Sequence, residues 1–331
     1  IELDIQELPA VVNMKAAVQS GSALVHDDIG TNLCYDWGFV EENKAAVDEA
    51  IKNAAHVTTL ELVNNRLVAN PMEPRVCVGD YSRATDDHTL YTTSQNPHVI
   101  RLLMGAFVLG IPEHKLRVVA PDVGGGFGTK IFHYAEEAFC TSAAKTVGRP
   151  VKWCADRSEA FMSDAHGRDH VTKIELALDK DGNFLAMRID WIADLGAYLH
   201  PAGPVSPMRN PVTCLNGVYK TPALFGRWRV ALTNTAPVSA YRGAARPEIA
   251  FAIERLVDES AAQMKIDPAE IRRRNFIPTN AFPYKTPTGS VYDIGDFHGV
   301  LDKALKLADI AGFAKRRAES EKRGLLRGLG F

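Results

Sequence analysis

Spacing of apolar and polar residues divides the chain near residue 156. Before that point, short strand-like runs are interleaved with helical ones. Residues 1–5 alternate as a strand that Leu8-Pro9 ends, and residues 13–43, with turn signals at Ser20-Gly21 and Asp27-Asp28, predict a loop-rich connector. Helical spacing over 45–54 is followed by a strand over 56–63. A hairpin is predicted from 75–81 and 89–93 around Thr85-Asp86-Asp87, then a helix over 97–109 with Pro97 in its first turn. A strand over 116–120, a helix over 132–146 and a strand over 151–155 complete this half.

Beyond Asp156 the pattern becomes antiparallel and then helical. Residues 171–179 and 184–192 alternate on either side of Lys180-Asp181-Gly182-Asn183, a strong hairpin signal. A strand over 227–233 precedes a helix over 248–265, and Asp267-Pro268-Ala269-Glu270 opens another with a cap, a proline and an acid. Helices over 297–310 and 312–322 close the chain. Hairpins, isolated strands and helices in this mixture predict an α+β fold in place of a doubly wound sheet.

Composition narrows the function classes. At 331 residues the chain can form two domains or one large mixed one, and its net charge of −2 gives no electrostatic basis for binding nucleic acid or an anionic membrane surface. No apolar run reaches the length of a membrane span, and no signal peptide is visible. The first residue is Ile1, not methionine, so further chain is expected before it. Cys34, Cys77, Cys140, Cys154 and Cys214 are scattered without a Cys-x-x-Cys pair. We therefore expect no zinc or iron–sulfur site and no metal ligand within this chain, and a reduced, cytoplasmic setting. Cys140 and Cys154 are predicted to be core residues.

The candidate chemistry lies in Pro121-Asp122-Val123-Gly124-Gly125-Gly126-Phe127-Gly128-Thr129-Lys130, between a predicted strand and a predicted helix. Such a backbone can wrap a ligand closely and turn its N–H groups toward anionic or carbonyl oxygens. A phosphorylated cofactor follows naturally, against the plainer reading of a packed turn. Gly128-Thr129-Lys130-Ile131 is not a Walker-type phosphate loop, and Gly124-Gly125-Gly126-Phe127-Gly128 closes one residue short of the dinucleotide fingerprint. A Rossmann-type NAD-dependent dehydrogenase, with Asp156 as the ribose-binding acid, is the alternative enzyme class.

Three more segments combine with this loop: Asn70-Pro71-Met72-Glu73-Pro74-Arg75, Thr92-Thr93-Ser94-Gln95-Asn96-Pro97-His98 and Ala240-Tyr241-Arg242-Gly243-Ala244-Ala245-Arg246-Pro247-Glu248. In this order and spacing they resemble the molybdenum-binding large subunit of the xanthine oxidase family of molybdenum hydroxylases, with the nearest look to aerobic carbon monoxide dehydrogenase large chains. The resemblance covers nearly the whole chain. It implies the α+β fold of the molybdopterin-binding domain, with residues 1–43 the end of a hammerhead-like domain plus connector. Residues 44–331 would be the first molybdopterin-binding domain, the second half of the site lying outside this chain.

The resemblance also implies roles. Gly125, Gly126, Phe127 and Gly128 would contact the pterin and the metal's oxo face. Gln95 would hydrogen-bond a molybdenum oxygen, a role that suits a neutral amide. Arg242, with Gly243 and Ala244 beside it, would sit next to the metal as a fixed cation. Without the resemblance, Gln95 is a polar residue at a helix start and Arg242 a surface salt-bridge former. The implied reaction is oxidative hydroxylation of an aldehyde or N-heterocycle with water as the oxygen source. The implied cofactor is molybdenum-molybdopterin in its cytosine dinucleotide form. The implied partners are a [2Fe-2S] small subunit and an FAD medium subunit, which carry the electrons away. The family's catalytic glutamate belongs to a motif beyond this chain. Glu136 and Glu137 read as an ordinary helical pair, and Glu73 and Glu248 as structural hydrogen-bonders beside prolines. A non-catalytic scaffold half is the third reading.

Three positions depart from the family's patterns. Gly243 stands where the carbon monoxide enzymes place a copper-binding cysteine, and copper(I) requires a soft thiolate. Ile131 and Ala244 replace the glutamate and phenylalanine of purine-oxidising relatives, which disfavours xanthine. Small Ala244 and Ala245 suggest a roomier pocket.

Overall fold

The computed structural model describes residues 2–331. Two sheets carry the molecule. The larger has the strand order β1 (Leu33–Phe39), β11 (Ala223–Ala231), β10 (Phe184–Asp194), β9 (His170–Leu178), β2 (His56–Asn64). The β9–β10 hairpin forms as predicted: Gly182 takes φ +82°, and the Asp179 carboxylate accepts the N–H groups of Asp181 and Asn183 at 2.9 and 2.8 Å. β10 and β11 run parallel, joined across α6 (Val205–Cys214). Being central, β10 is buried along nearly its whole length. One face of this sheet packs Trp191, Trp228 and Ile189 against Ile249, Ile253 and Leu256 of α7 (Arg246–Met264). The other face packs Ala177, Ala186 and Phe225 against Val47 of α2 (Lys44–Asn53).

The smaller sheet has the order β6 (Leu116–Val119), β5 (Asp87–Thr92), β4 (Val76–Ser82), β7 (Val151–Cys154). The β4–β5 hairpin is antiparallel, and β5 and β6 run parallel through α3 (Pro97–Leu103), whose last turns widen into a π-helix over Met104–Leu109. α4 (Ala135–Val147) lies on this sheet at Gly79, where a Cβ would stand 2.3 Å from the Cys140 carbonyl oxygen. Short pieces complete the fold: α1 (Met14–Ala17), β3 (Leu67–Val68) paired with β8 (His166–Gly167), α5 (Arg157–Ser163), α8 (Pro268–Asn275), the β12 (Tyr284–Lys285)–β13 (Val291–Tyr292) ribbon, α9 (Phe297–Leu307) and α10 (Phe313–Glu321). Asp267 caps α8 as expected, accepting the Ala269 and Glu270 N–H groups. Among the described residues no helix is long and apolar enough to cross a membrane.

Several expectations need correcting. Ile1 lies outside the described residues, and Glu2–Ile5 are exposed and without regular structure, because no neighbouring strand pairs with them. The 13–43 stretch contains α1 and the edge strand β1. α6, with Pro207 and Pro211, was not anticipated. The Rossmann reading fails on topology. β7 returns antiparallel to β4 at the far side of its sheet, not parallel beside β6, and Asp156 caps α5 by accepting the Glu159 N–H. Cys140 is buried as expected, but Cys154 is exposed.

Candidate functional site

Because β5 and β6 are parallel, the chain leaves both at the same end of the sheet. Gln95 follows β5 and the glycine loop follows β6, so the fold alone brings these segments together. The Gln95 N–H donates to the Lys130 carbonyl at 2.8 Å, and the Gln95 Oε1 accepts the N–H groups of Gly128 at 2.8 Å and Lys130 at 3.4 Å. With its oxygen held from the loop side, the exposed Gln95 amide presents its NH2 end outward. Gly126 is required for this approach: a Cβ there would lie 2.2 Å from the Gln95 Oε1.

The loop's backbone is unusual. Gly125, Phe127 and Gly128 have φ of +95°, +54° and +110°, and non-glycine Phe127 projects a ring that is 41% exposed. No acceptor among the described residues takes the N–H groups of Gly125, Gly126 and Phe127. Three successive free donors of this kind suit an anionic ligand.

A fully buried lysine fixes the loop from beneath. The Lys130 ammonium donates to the Glu73 carbonyl at 2.7 Å and to the Glu73 Oε2 at 3.1 Å, while that oxygen also accepts the Gly124 N–H at 2.7 Å. Burial pulls the Lys130 pKa down, and Glu73 opposes that shift. Arg157 ties down the segment before Glu73 by donating to the carbonyls of Pro71 and Met72 at 2.8 and 3.0 Å. Arg75 is buried between Asp164 at 2.6 Å and Glu136 at 3.0 Å, with its guanidinium 3.7 Å from the Tyr134 ring centre. The Tyr134 hydroxyl, its pKa pushed up to about 12 by burial, donates to the Thr129 carbonyl at 2.8 Å.

The third segment docks from the larger sheet's side. The Arg242 N–H donates to the Phe127 carbonyl at 2.8 Å, and Gly128 lies so near that a Cβ would stand 2.2 Å from the Ala240 carbonyl oxygen. The exposed Arg242 guanidinium sits 5.9 Å from the Phe127 ring centre and has no carboxylate partner among the described residues, so the expected surface salt bridge is not formed. Gly243, Ala244 and Ala245 all have positive φ, at +92°, +46° and +71°. Ala244 is half-buried beside Arg242, but Ala245 is 2% exposed as the residue preceding α7, so it cannot widen a pocket.

Gln95, Gly125–Gly128, Arg242, Gly243 and Ala244 are thus assembled into one cradle. Glu73 and Glu248 are the structural partners expected, Glu248 pairing with Arg168. Glu136 and Glu137 do not form an ordinary helical pair. Glu136 binds Arg75, whereas the buried Glu137 accepts from the Thr92 hydroxyl and the Tyr134 N–H. Lys130, Arg157 and Arg168 were not singled out from the sequence. A lysine inside an apolar-flanked Gly-Thr-Lys-Ile run was the one available signal.

Unpaired N–H donors beside an unpaired cation fit an anionic cofactor approached by backbone. The sequence matches the family described as molybdopterin cofactor-binding domain over residues 25–276. The nicotine 6-hydroxylase large subunit of Paenarthrobacter nicotinovorans is 33% identical over all of this chain and 40% of its own length. The carbon monoxide dehydrogenase large chain of Hydrogenophaga pseudoflava is 34% identical over all of this chain and 43% of its own. The structure of quinoline 2-oxidoreductase from Pseudomonas putida 86 superposes with a TM-score of 0.88 at 33% identity, covering 96% of this chain and 40% of that one. The chain therefore spans about 40% of the length of these relatives.

Proposed function

The chain belongs to the molybdopterin cofactor-binding domain family, and from that premise we propose that it forms one half of the active-site cradle of a molybdenum hydroxylase. The observation that carries this reading is the docking of Arg242 and Gln95 onto one glycine loop, through the Arg242 N–H to Phe127 and the Gly128 N–H to Gln95.

When bound, the cofactor supplies the oxygen-transfer and two-electron chemistry. The Gln95 amide donates to an oxygen on the bound group, and the free N–H groups of Gly125–Phe127 line its approach. Phe127 covers one side of the opening, and Arg242 orients the substrate or balances negative charge developing on it. Gly243 and Ala244 leave space beside that cation. The dinucleotide form of the cofactor is proposed to be cytosine, the electron acceptors a [2Fe-2S] subunit and an FAD subunit, and the setting the cytoplasm. A base and the second half of the cradle come from outside this segment. The relatives' names, a large subunit and a large chain, are those of proteins that work with smaller ones.

For the substrate we favour an electron-poor N-heteroaromatic over an aldehyde, since two of the compared proteins are named for nicotine and quinoline. Carbon monoxide is disfavoured. Position 243 has φ +92°, and a Cβ there would stand 2.5 Å from the Pro247 ring, leaving no room for a thiolate side chain without a rearranged loop.

The test is metal analysis and cofactor extraction on the full-length protein with the chains that co-purify, followed by Gln95→Ala. We expect molybdenum with a pterin nucleotide, and at least tenfold slower turnover in the variant. A parent preparation without molybdenum, or unchanged turnover in Gln95→Ala, would refute the reading.

A further inference from the structure

Arg242 is an exposed arginine whose backbone carbonyl is bridged, through one other guanidinium, to a buried carboxylate that Arg242 itself does not pair with. Glu248, in the first turn of α7, has a side chain 3% exposed whose Oε2 lies 2.5 Å from the Arg168 Nη1, a close charge contact outside hydrogen-bond geometry. The same guanidinium reaches the loop at two further points. Its Nη2 donates to the Arg242 carbonyl at 3.1 Å, and its plane lies 4.6 Å from the Tyr241 ring centre. One side chain therefore pairs with a buried acid and grips the backbone of the residue that carries the site's cation.

The scaffold goes to some trouble to put Arg168 there. Arg168 and Asp169 have φ of +64° and +68°, two consecutive non-glycine residues in the left-handed region. Such backbone persists only where its surroundings over-determine it, and it clusters at functional sites. Those surroundings are present. Arg66 donates to Asp169 at 2.6 Å and to the buried Asp194 at 2.8 Å, and the Asp194 N–H donates to the Asp169 carbonyl at 3.1 Å. On the other side, His166 exchanges backbone hydrogen bonds with Pro237 and Ser239, and Gly167 packs so tightly on Tyr241 that a Cβ would stand 2.3 Å from it.

We propose that Arg168 is a positioning residue that keeps Arg242 available: it holds the 241–245 loop by the Arg242 carbonyl and occupies Glu248 so that Arg242 does not. The proposal rests on the hydroxylase reading for what Arg242 then does, but the clamp itself does not. Removing Arg168 frees an acid in a nearly water-excluded position, and the neighbouring arginine, released from its grip, becomes that acid's counter-ion. The cation is then withdrawn from the face it shares with Phe127.

The experiment uses the full-length subunit with its partner chains, as parent, Arg168→Met, Arg168→Lys and the double variant Arg168→Met/Glu248→Gln. Hydrogen exchange at the Arg242 and Ala244 amides reads the clamp without any need for cofactor. We expect at least tenfold faster exchange at both in Arg168→Met, with α4 amides unchanged. In loaded enzyme we expect kcat to fall tenfold to a hundredfold at unchanged molybdenum content, the loss that a displacement on the order of 1 Å produces. The double variant, with no acid to capture Arg242, should regain a large part of that loss. Arg168→Lys keeps the pair with Glu248 but lacks the fork, and should show the faster exchange even if the Met variant does not fold. Unchanged exchange at residues 242 and 244 would overturn the proposal, and so would a double variant no better than Arg168→Met or a kcat loss that only follows lost molybdenum. A parent enzyme without molybdenum would sink the hydroxylase reading alone, with the exchange result still deciding the clamp.

Discussion

Gly128→Ala is the sharpest probe of the cradle, because it strikes where two loops from different sheets meet. The residue has φ +110°, and a Cβ would lie 2.2 Å from the Ala240 carbonyl oxygen, 2.8 Å from its carbon and 3.1 Å from the Tyr241 Cα. All three are backbone atoms, so no side chain can swing aside. Ordinary contact begins near 3.4 Å, so the loops must separate by about 1 Å. Left-handed strain costs about 1–2 kcal/mol, and overpacking of a tight contact about 1–3 kcal/mol more. Part of the second cost would appear as loss of the Arg242–Phe127 backbone bond, which is 2.8 Å long. Gly289 supplies the control: its φ is +83° and a Cβ there meets nothing within 4 Å, so Gly289→Ala bears the strain alone. Urea unfolding of the full-length subunit should show Gly128→Ala less stable than the parent by roughly 2–5 kcal/mol, and Gly289→Ala by about 1–2 kcal/mol. If the two variants were equally destabilised, the loops would not be docked as described.

Other perturbations test the supports. Arg75→Leu leaves Asp164 buried without its cation, and denaturant unfolding should register a loss of about 3–5 kcal/mol; Arg75→Lys should restore little of it, since the stacking on Tyr134 needs a planar group. Acid stability has a definite sign at His170 and His200, whose pKa values burial lowers to about 3 and about 4 from 6.5. The unfolded chain binds these protons below about pH 6.5 while the folded chain refuses them, so each histidine makes stability fall as pH drops toward its folded value. His170→Phe, which keeps the packing on Trp191, should flatten the decline between pH 6 and 4 by roughly 1.4 kcal/mol per pH unit in melts at stepped pH. An unchanged slope would mean that His170 is not held neutral.

Local rules made much of this legible. Lys180-Asp181-Gly182-Asn183 specified the β9–β10 turn because only glycine takes φ +82° there without cost, and Asp267 announced α8 because a carboxylate is the natural acceptor for its first N–H groups. Long-range pairing was not readable. β1 is an edge strand whose Tyr35, Trp37 and Phe39 alternate, but residues 13–43 carry so many turn signals that only its partner β11 defines it. α6 forms despite Pro207 and Pro211 because packing against α7 and β11 overrides propensity. In the site, Gln95 and the glycine loop stood out by residue type and their docking followed from parallel strands. The supports did not. Nothing local distinguishes the Arg168 that grips Arg242 from any other surface arginine, and the buried state of Lys130 depends on Glu73, far away in sequence.

Beside the side-chain supports, three of the bonds that hold these segments together run main chain to main chain. Glu73 donates to the Gly124 carbonyl, Gln95 to that of Lys130 and Arg242 to that of Phe127, at 3.3, 2.8 and 2.8 Å. Such bonds are indifferent to which side chains the bonded residues carry. Positions 131 and 244, where this chain departs from the purine-oxidising pattern, contribute no side-chain hydrogen bond to that lattice. At those three bonds the frame is independent of the lining: side chains there can change, one at a time, without unfastening the docked loops. Under the hydroxylase function proposed above, a lineage built this way can change its substrate by altering surfaces alone, which makes the cradle an evolvable part as well as a chemical one.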